Sequence, residues 1–248
     1  MEIPMGLWLR GMMYISAVVC SLLLVPVGAF RVECEQKPAA EIGGSVTFEC
    51  SFDCNGQCTP AVKWEKNPGS EILYEYKESK SDFSNQHANY SKRIQVDENS
   101  INNGKAFLTL KNVNLWDEGD YMLFVSTDGG YGKAVVHLPV WASTDGIHVF
   151  WDSDSDVLSC RSSGWYPAPE VTWRDQLGNA LAVHNEIKLR ESDGYFNVTN
   201  DLKVIDKMNH YICSMTHQWM VKPTQTRVIF SDGKHLIRVD NGEKPSDL

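Results

Sequence analysis

The chain has 248 residues, enough for one large domain or two ordinary ones, and its composition (42% hydrophobic, 22% charged) excludes a chain disordered throughout. The formal net charge of −9 argues against a nucleic-acid partner and against docking on anionic lipid, since both would require clustered Lys and Arg. No run of five like charges occurs, so the acidic residues are interpreted as a solvated surface.

The first predicted element is a signal peptide over residues 1–29. Arg10 precedes the apolar run MMYISAVVCSLLLVPVGA, and the small residues Val27-Gly28-Ala29 predict cleavage after Ala29. The alternative is a retained signal anchor, because the apolar run approaches the length that spans a membrane.

Export is also indicated by the cysteines and by two glycosylation sequons. Six cysteines remain once Cys20 leaves with the signal peptide, an even set suited to disulfides, and Asn89 and Asn197 begin Asn-x-Ser/Thr sequons. No second apolar stretch of about 18 residues follows. The sequence therefore predicts a secreted, extracellular protein; the external face of the plasma membrane, by association or in an anchored form, is the alternative.

From residue 30 onwards, short alternating runs are separated by turn residues such as NPGS, NNGK and DGGYG. Sustained helical periodicity is rare, so the sequence predicts an all-β protein. The length fits two tandem sandwiches of about 100 residues each. We predict domains over residues 30–142 and 143–231, followed by a polar tail over 232–248.

The second half carries the clearest motif. Trp173 follows Cys160 by thirteen residues, Cys213 lies 53 residues beyond Cys160, and Tyr211 stands two places before Cys213. In immunoglobulin domains this spacing accompanies an inter-sheet disulfide that packs on a buried indole, while the tyrosine hydroxyl binds the preceding loop. We therefore predict a Cys160–Cys213 disulfide over Trp173.

The first half repeats this motif with one change. Cys50 and Trp64 are fourteen residues apart, and Asp117 and Tyr121 belong to an Asp-x-Gly-x-Tyr sequence, but Leu123 stands where the second cysteine is expected. We predict that Trp64 and Tyr121 face the core and that Leu123 fills the space between the sheets.

An ion pair is predicted at the end of the same domain. Arg93, in SKRIQV, is placed to pair with Asp117 across the bottom of the sandwich. The alternative is a solvated surface arginine, which would contribute about 0–1 kcal/mol.

The remaining cysteines, Cys34, Cys50, Cys54 and Cys58, can pair in three ways. Reflection of the chain about the turn at Gly43-Gly44 favours Cys34 with Cys54 and Cys50 with Cys58. The first strand of variable domains often changes sheets part-way, which would spoil this reflection. A zinc site is the alternative use of these cysteines, but no histidine lies nearby and export favours oxidation, so no metal is predicted.

The segment CRSSGWYPAPEVTWRDQLGNAL, residues 160–181, resembles the membrane-proximal constant-type domain of butyrophilins and related T-cell costimulatory ligands. Residues 90–140, which include GKAFLTLKNVNLWDEGDY, look like the variable-type domain of the same branch. The resemblance implies a variable-type domain followed by a constant-type domain. Leu123 departs from the family pattern, and so does the absence of a transmembrane helix after the second domain.

Trp165 belongs to the family-like segment. Pro167 and Pro169 fix the backbone of the loop that follows, which places Trp165 and Tyr166 near the end of the domain. We predict that Trp165 packs against the neighbouring domain or loop; contact with a partner is the alternative.

Nothing in the sequence indicates an enzyme. The seven histidines are scattered and form no Ser-His-Asp or metal-ligand spacing, and GGYG is too short for a phosphate loop. We therefore predict a binding module without a cofactor or a small-molecule substrate.

Strand alternation identifies an exposed face on the sheet that contains the sixth strand. An apolar patch on such a face is typical of interaction sites, although a glycan, a dimer mate or the neighbouring domain could equally cover it. The residues predicted to contact a partner are Lys63, Glu65, Tyr74, Tyr76, Met122, Phe124, Tyr131, Val135 and His137.

By resemblance, the expected role is an extracellular ligand that binds a protein receptor on lymphocytes through this face and modulates T-cell activation. The alternative is a homophilic adhesion or soluble decoy protein, which would associate with itself or with related immunoglobulin proteins.

Overall fold

The structure is a computed structural model that describes residues 30–240 apart from 37–38, 55, 57, 67–70, 145, 191, 208 and 232–234. The predicted signal peptide and residues 241–248 lie outside the described residues. The described residues form strands arranged as two β-sandwiches, and among these residues there is one short α-helix, in the first sandwich. No helix in this part of the chain is long and apolar enough to cross a membrane.

The strands of the first sandwich are β1 (Val32–Cys34), β2 (Ala40–Glu41), β3 (Ser45–Phe52), β4 (Ala61–Lys66), β5 (Glu71–Lys77), β6 (Lys80–Asp82), β7 (Ile94–Val96), β8 (Lys105–Lys111), β9 (Gly119–Thr127), β10 (Gly130–Leu138) and β11 (Val140–Trp141). They form a back sheet with strand order β1-β3-β8-β7 and a front sheet with order β10-β9-β4-β5-β6, while β2 pairs in parallel with β11. A helix, α1 (Glu98–Ile101), precedes β8, and short 3-10 turns cover Ala88–Tyr90 and Leu115–Asp117.

Apolar side chains fill the space between the two sheets. The ring of Phe48 from the back sheet lies 5.6 Å from Trp64 and 4.8 Å from Tyr121 of the front sheet, measured between ring centroids. Leu123 lies opposite Trp64 in the register and is fully buried. Burying a leucine contributes about 1.5–3 kcal/mol, which offsets part of the roughly 2–5 kcal/mol that a missing disulfide costs.

The predicted ion pair closes the bottom of this sandwich. The Arg93 guanidinium binds both carboxylate oxygens of Asp117, one of them at 3.2 Å, and its side chain is only 15% exposed. The Tyr121 hydroxyl donates to the Asp117 carbonyl at 2.7 Å. These bonds fix the turn before β9 to the start of β7, so Arg93 is not a solvated surface residue.

The predicted cysteine pairing in the first domain was wrong. The disulfides join Cys34 to Cys50 and Cys54 to Cys58. Because β1 runs antiparallel to β3 with Cys34 directly opposite Cys50, their Cα atoms are 4.0 Å apart. The reflection failed because the chain changes sheets at β2, which pairs with β11 instead of continuing β1, and this shifts the pairing of β1 with β3.

The second sandwich has sheets with orders β12-β13-β16-β15 and β14-β17-β18-β19. Residues 235–240, expected within a polar tail, form β19 and pair with β18. The strands are β12 (His148–Asp152), β13 (Val157–Trp165), β14 (Glu170–Arg174), β15 (His184–Leu189), β16 (Phe196–Lys203), β17 (His210–Thr216), β18 (Thr224–Ser231) and β19 (His235–Asp240).

The core of this second sandwich contains the predicted motif. A disulfide joins Cys160 to Cys213 across the two sheets, and Trp173, directly opposite Cys213, is fully buried. The Tyr211 hydroxyl donates to the Asp206 carbonyl at 2.7 Å, which binds the preceding loop to β17.

The two sandwiches contact each other around Tyr166. The backbones of Ala142 and Tyr166 exchange hydrogen bonds of 2.7 and 3.1 Å, and the Tyr166 hydroxyl donates to Glu118 of the first domain at 2.7 Å. Burial, together with the neighbouring Glu118 carboxylate, raises the pKa of Tyr166 to about 12. The phenol therefore stays protonated as a donor even at a pH where an ordinary tyrosine ionises.

Trp165 is buried completely within the second domain. Its indole N–H donates to the Ser162 hydroxyl at 3.0 Å, and its ring packs against His217. Trp165 is therefore a core residue of the second domain. A partner contact through Trp165, the alternative considered from the sequence, was wrong because the side chain has no exposed surface.

We expect peptide mapping of the non-reduced protein to recover Cys34 linked to Cys50 and Cys54 linked to Cys58, because the register brings each pair together. The Cys160–Cys213 linkage serves as an internal control for complete digestion. Recovery of a peptide linking Cys34 to Cys54 would contradict the β1–β3 register.

Replacing Arg93 with Ala should lower the free energy of unfolding by about 3 kcal/mol, because the substitution leaves the buried Asp117 carboxylate without its ion-pair partner. Urea denaturation followed by fluorescence measures the change. Arg31→Ala is the matched control, since the Arg31–Glu33 pair is well exposed and should contribute less than about 1 kcal/mol. Equal losses in both variants would show that the Arg93 pair has no special structural role.

Candidate functional site

The candidate site is the outward surface of the front sheet, called here the front face. Trp64, Tyr121 and Val136 point into the core, so their neighbours along each strand point outward. The register places Phe124 between Lys63 of β4 and Lys133 of β10, and it places Met122 between Glu65 and Val135. The front face consists of Lys63, Glu65, Glu75, Lys77, Met122, Phe124, Tyr131, Lys133, Val135 and His137.

One half of the front face is apolar. Tyr131 is 84% exposed and Val135 is 46% exposed, while Met122 and Phe124 are half-buried beside them. All four lie on β9 and β10, so they form a continuous strip along two adjacent strands. An apolar strip of this kind can bury surface against a protein partner.

The other half of the front face is charged and internally paired. Lys63 pairs with Glu65 at 2.7 Å, and Lys77 pairs with Glu75 at 3.1 Å. The Lys63 ammonium also lies 4.9 Å from the centroid of the Phe124 ring, within the range of a cation–π contact. Hydrogen bonding to Glu75 raises the pKa of Lys77 above its usual value.

The prediction that Tyr74 and Tyr76 belong to the front face was wrong. Tyr74 lies opposite Trp64 and Tyr76 lies opposite Val62 in the register, and directly opposed residues share one face of a sheet. Both tyrosines therefore point into the core and are buried. The Tyr74 hydroxyl bonds to Ser81 at 2.8 Å, and burial raises the pKa of Tyr74 to about 12.

Glu65 has the predicted orientation but little of the predicted accessibility. Its position on β4 points outward, opposite Met122, yet only 3% of the residue is exposed. Its partner Lys63 has a side chain that is 37% exposed, so a binding protein would meet Lys63 before Glu65.

His137 lies at the end of the face away from the turn between β9 and β10. Its ring nitrogen Nδ1 is 2.7 Å from an Asp120 oxygen on the adjacent strand, and both side chains are more than half exposed. His137 is therefore a polar residue at the edge of the face, next to the apolar strip.

The glycines on either side of Tyr131 allow close packing against β10. A Cβ added at Gly130 would lie 2.9 Å from the Phe30 side chain, and one added at Gly132 would lie 2.7 Å from Val32. Glycine at these positions lets the N-terminal segment lie against β10. This close contact holds the strand that presents Tyr131.

Sequence reasoning missed two lysines of the front face. Lys133 is identified once β10 is aligned on β9, because it falls opposite Phe124. Lys77 was missed because the alternation along β5 was assigned with the tyrosines outward, which turned every residue of that strand to the wrong side.

The face contains paired charges and apolar side chains, an arrangement suited to binding. Within the described residues, no group of three or more His, Cys, Asp or Glu side chains is placed to hold a metal ion. The two sequon asparagines, Asn89 and Asn197, are exposed and lie on a 3-10 turn and on β16, so neither belongs to a front-sheet strand.

Two family models match adjoining parts of the chain. Residues 35–140 match the model described as immunoglobulin V-set domain. Residues 142–224 match the model described as butyrophilin subfamily 3 member A2-like, Ig-C domain.

Relatives with similar sequences include T-cell activation inhibitors and butyrophilins. The rat V-set domain-containing T-cell activation inhibitor 1 is 31% identical over 74% of this chain and 65% of its own length. Human butyrophilin subfamily 2 member A2 is 28% identical over 77% of this chain and 37% of its own length. The chain thus spans less than two thirds of the length of these relatives.

Among solved structures, bovine butyrophilin superimposes with a TM-score of 0.71 at 24% identity, covering 82% of this chain and 99% of that chain, which shows a shared fold. Two adjoining family matches, related curated sequences and a common two-domain fold lead to one assignment. The chain belongs to the butyrophilin-like branch of the immunoglobulin superfamily, with a V-set domain followed by a butyrophilin-like Ig-C domain.

Proposed function

We propose that this protein is an extracellular ligand that binds a protein receptor on lymphocytes through its front face and thereby modulates T-cell activation. The observation that carries the proposal is the apolar strip of Met122, Phe124, Tyr131 and Val135, which is exposed or half-exposed on a fully formed sheet. An apolar patch bordered by charged residues has the composition of a protein-binding surface.

The names of the relatives support the biological context of the proposal. One relative is named a T-cell activation inhibitor, and others are named butyrophilins. A chain from the crystal structure of ICOS in complex with ICOS-L shares this fold at 18% identity and a TM-score of 0.63.

The front face supports binding rather than catalysis. Two of its lysines, Lys63 and Lys77, pair with carboxylates of the same sheet, and the strip beside them is apolar and aromatic. We therefore propose a non-enzymatic role. The proposed domains cover residues 30–142 and 143–231, and β19 (His235–Asp240) extends a sheet of the second domain beyond that boundary. We propose that the chain is secreted after cleavage following Ala29 and is glycosylated at Asn89 and Asn197.

The proposal predicts that Phe124→Arg abolishes binding of the purified mature chain to T cells, because a new charge in the centre of the strip must be desolvated in the complex. Flow cytometry on resting and activated T cells measures binding. Phe107→Arg is the matched control, since Phe107 is a half-buried aromatic residue on the back sheet and its replacement should leave binding intact.

Equal loss in the two variants, with unchanged circular dichroism, would contradict a role specific to the front face. Absence of staining by the wild-type chain, combined with self-association in sedimentation experiments, would favour the adhesion alternative. A change in T-cell proliferation on plates coated with the wild-type chain but not with Phe124→Arg would extend the proposal from binding to regulation.

A further inference from the structure

The core of the second sandwich contains two polar side chains without hydrogen-bond partners. Asn200 of β16 and Trp173 of β14 are both fully buried. Among the residues that the structure describes, four buried side-chain nitrogen or oxygen atoms have no hydrogen-bond partner, and three of them are Nδ2 and Oδ1 of Asn200 and Nε1 of Trp173. The large majority of buried polar groups in folded proteins are hydrogen-bonded, so three such atoms in one core require an explanation.

The strand register places both side chains at the level of one disulfide. Asn200 lies directly opposite Cys160 on the neighbouring strand, and Trp173 lies directly opposite Cys213. The two cysteines are bonded to each other across the sandwich. Asn200 and Trp173 therefore lie at the same height in the core, one on each sheet.

The strand order also places both residues on the same side of this disulfide. β12 lies over β18, because the rings of Trp151 and Phe230 are 4.9 Å apart between centroids. The disulfide places β13 over β17, so the orders β12-β13-β16 and β18-β17-β14 bring β16 over β14. Since facing sheets pack about 10 Å apart, the inward-pointing side chains of Asn200 and Trp173 approach each other between the sheets.

A direct bond between the two side chains would not satisfy all three atoms. The indole N–H of Trp173 can only donate, so a bond to Oδ1 of Asn200 would leave Nδ2 without an acceptor. A single water molecule can accept from the indole N–H, accept from Nδ2 and donate to Oδ1. Buried waters in proteins typically make about three such hydrogen bonds to otherwise unsatisfied polar groups.

We propose that one internal water molecule binds between the Asn200 amide and the Trp173 indole, beside the disulfide, as a constant part of the second-domain core. The other buried residues on the inward face of β16, Val198 and Leu202, are apolar and offer no alternative partner. The water site is independent of the proposed receptor-binding function, because it lies inside the second domain whereas the front face belongs to the first.

The test is an NMR measurement of magnetisation transfer from water to the nitrogen-15-labelled mature chain. The indole N–H of Trp173 and the Nδ2 protons of Asn200 should show cross-peaks to water with the sign of a long-lived bound molecule, because the site is enclosed in the core. Trp173→Phe and Asn200→Leu assign these two resonances by removing them. The backbone amide of Leu158, buried in the central strand β13, should show no such cross-peak.

Unfolding of the variants provides a second, independent measurement. Asn200→Leu removes the amide and leaves the Trp173 indole N–H buried without its acceptor, so the equilibrium constant for unfolding of the second domain should rise about tenfold. In the Trp173→Phe background the indole N–H is already absent, and the same Asn200→Leu change should raise that constant less than about threefold. Urea unfolding followed by the NMR resonances of the second domain measures both changes.

Absence of water cross-peaks at both side chains of the wild type would overturn the inference, whether or not the variants fold. A lower unfolding constant in Asn200→Leu would also overturn it, since it would show that the amide has no partner in the native core. Asn185→Leu, opposite Asn200 on β15, is a further control and should leave the water cross-peaks in place. Their loss in this variant would reject a site formed by Asn200 and Trp173.

Discussion

Apolar packing between Phe48, Trp64 and Leu123 is the interaction on which the first domain depends. Neither of the disulfides in that domain joins its two sheets, because Cys34 and Cys50 both belong to the back sheet and Cys54–Cys58 closes a loop. The sheets are therefore held together by buried side chains, and the aromatic contacts of Phe48 with the front sheet supply the link that a disulfide gives elsewhere.

The same core packing determines which side chains are exposed on the front face. Each inward residue on β4, β9 and β10 fixes its neighbours on the outside, since alternate residues of a strand point to opposite faces. Burying Leu123 therefore presents Met122 and Phe124, and burying Val136 presents Val135. A change in the core that shifted one strand by a single residue would exchange the apolar strip for core residues.

Polar interactions at the ends of the first sandwich complement this core. Arg93 and Asp117 close the bottom, and the neighbouring residue Glu118 accepts a hydrogen bond from Tyr166 of the second domain. The turn that carries the ion pair thus also contacts the next domain. Contacts at this end join the two domains, while Tyr131 and the turn between β9 and β10 lie at the opposite end of β9.

The sequence alone determined the all-β class, the disulfide and tryptophan of the second domain, and the ion pair of Arg93 with Asp117, because these follow from local alternation and from fixed motif spacing. It also placed Met122, Phe124 and Val135 on the outside. Only the tertiary structure decided the cysteine partners, the inward orientation of Tyr74 and Tyr76, and the positions of Lys77 and Lys133 on the front face. Each of these depends on the register between strands, and register is set by packing across the whole sandwich rather than by any single strand.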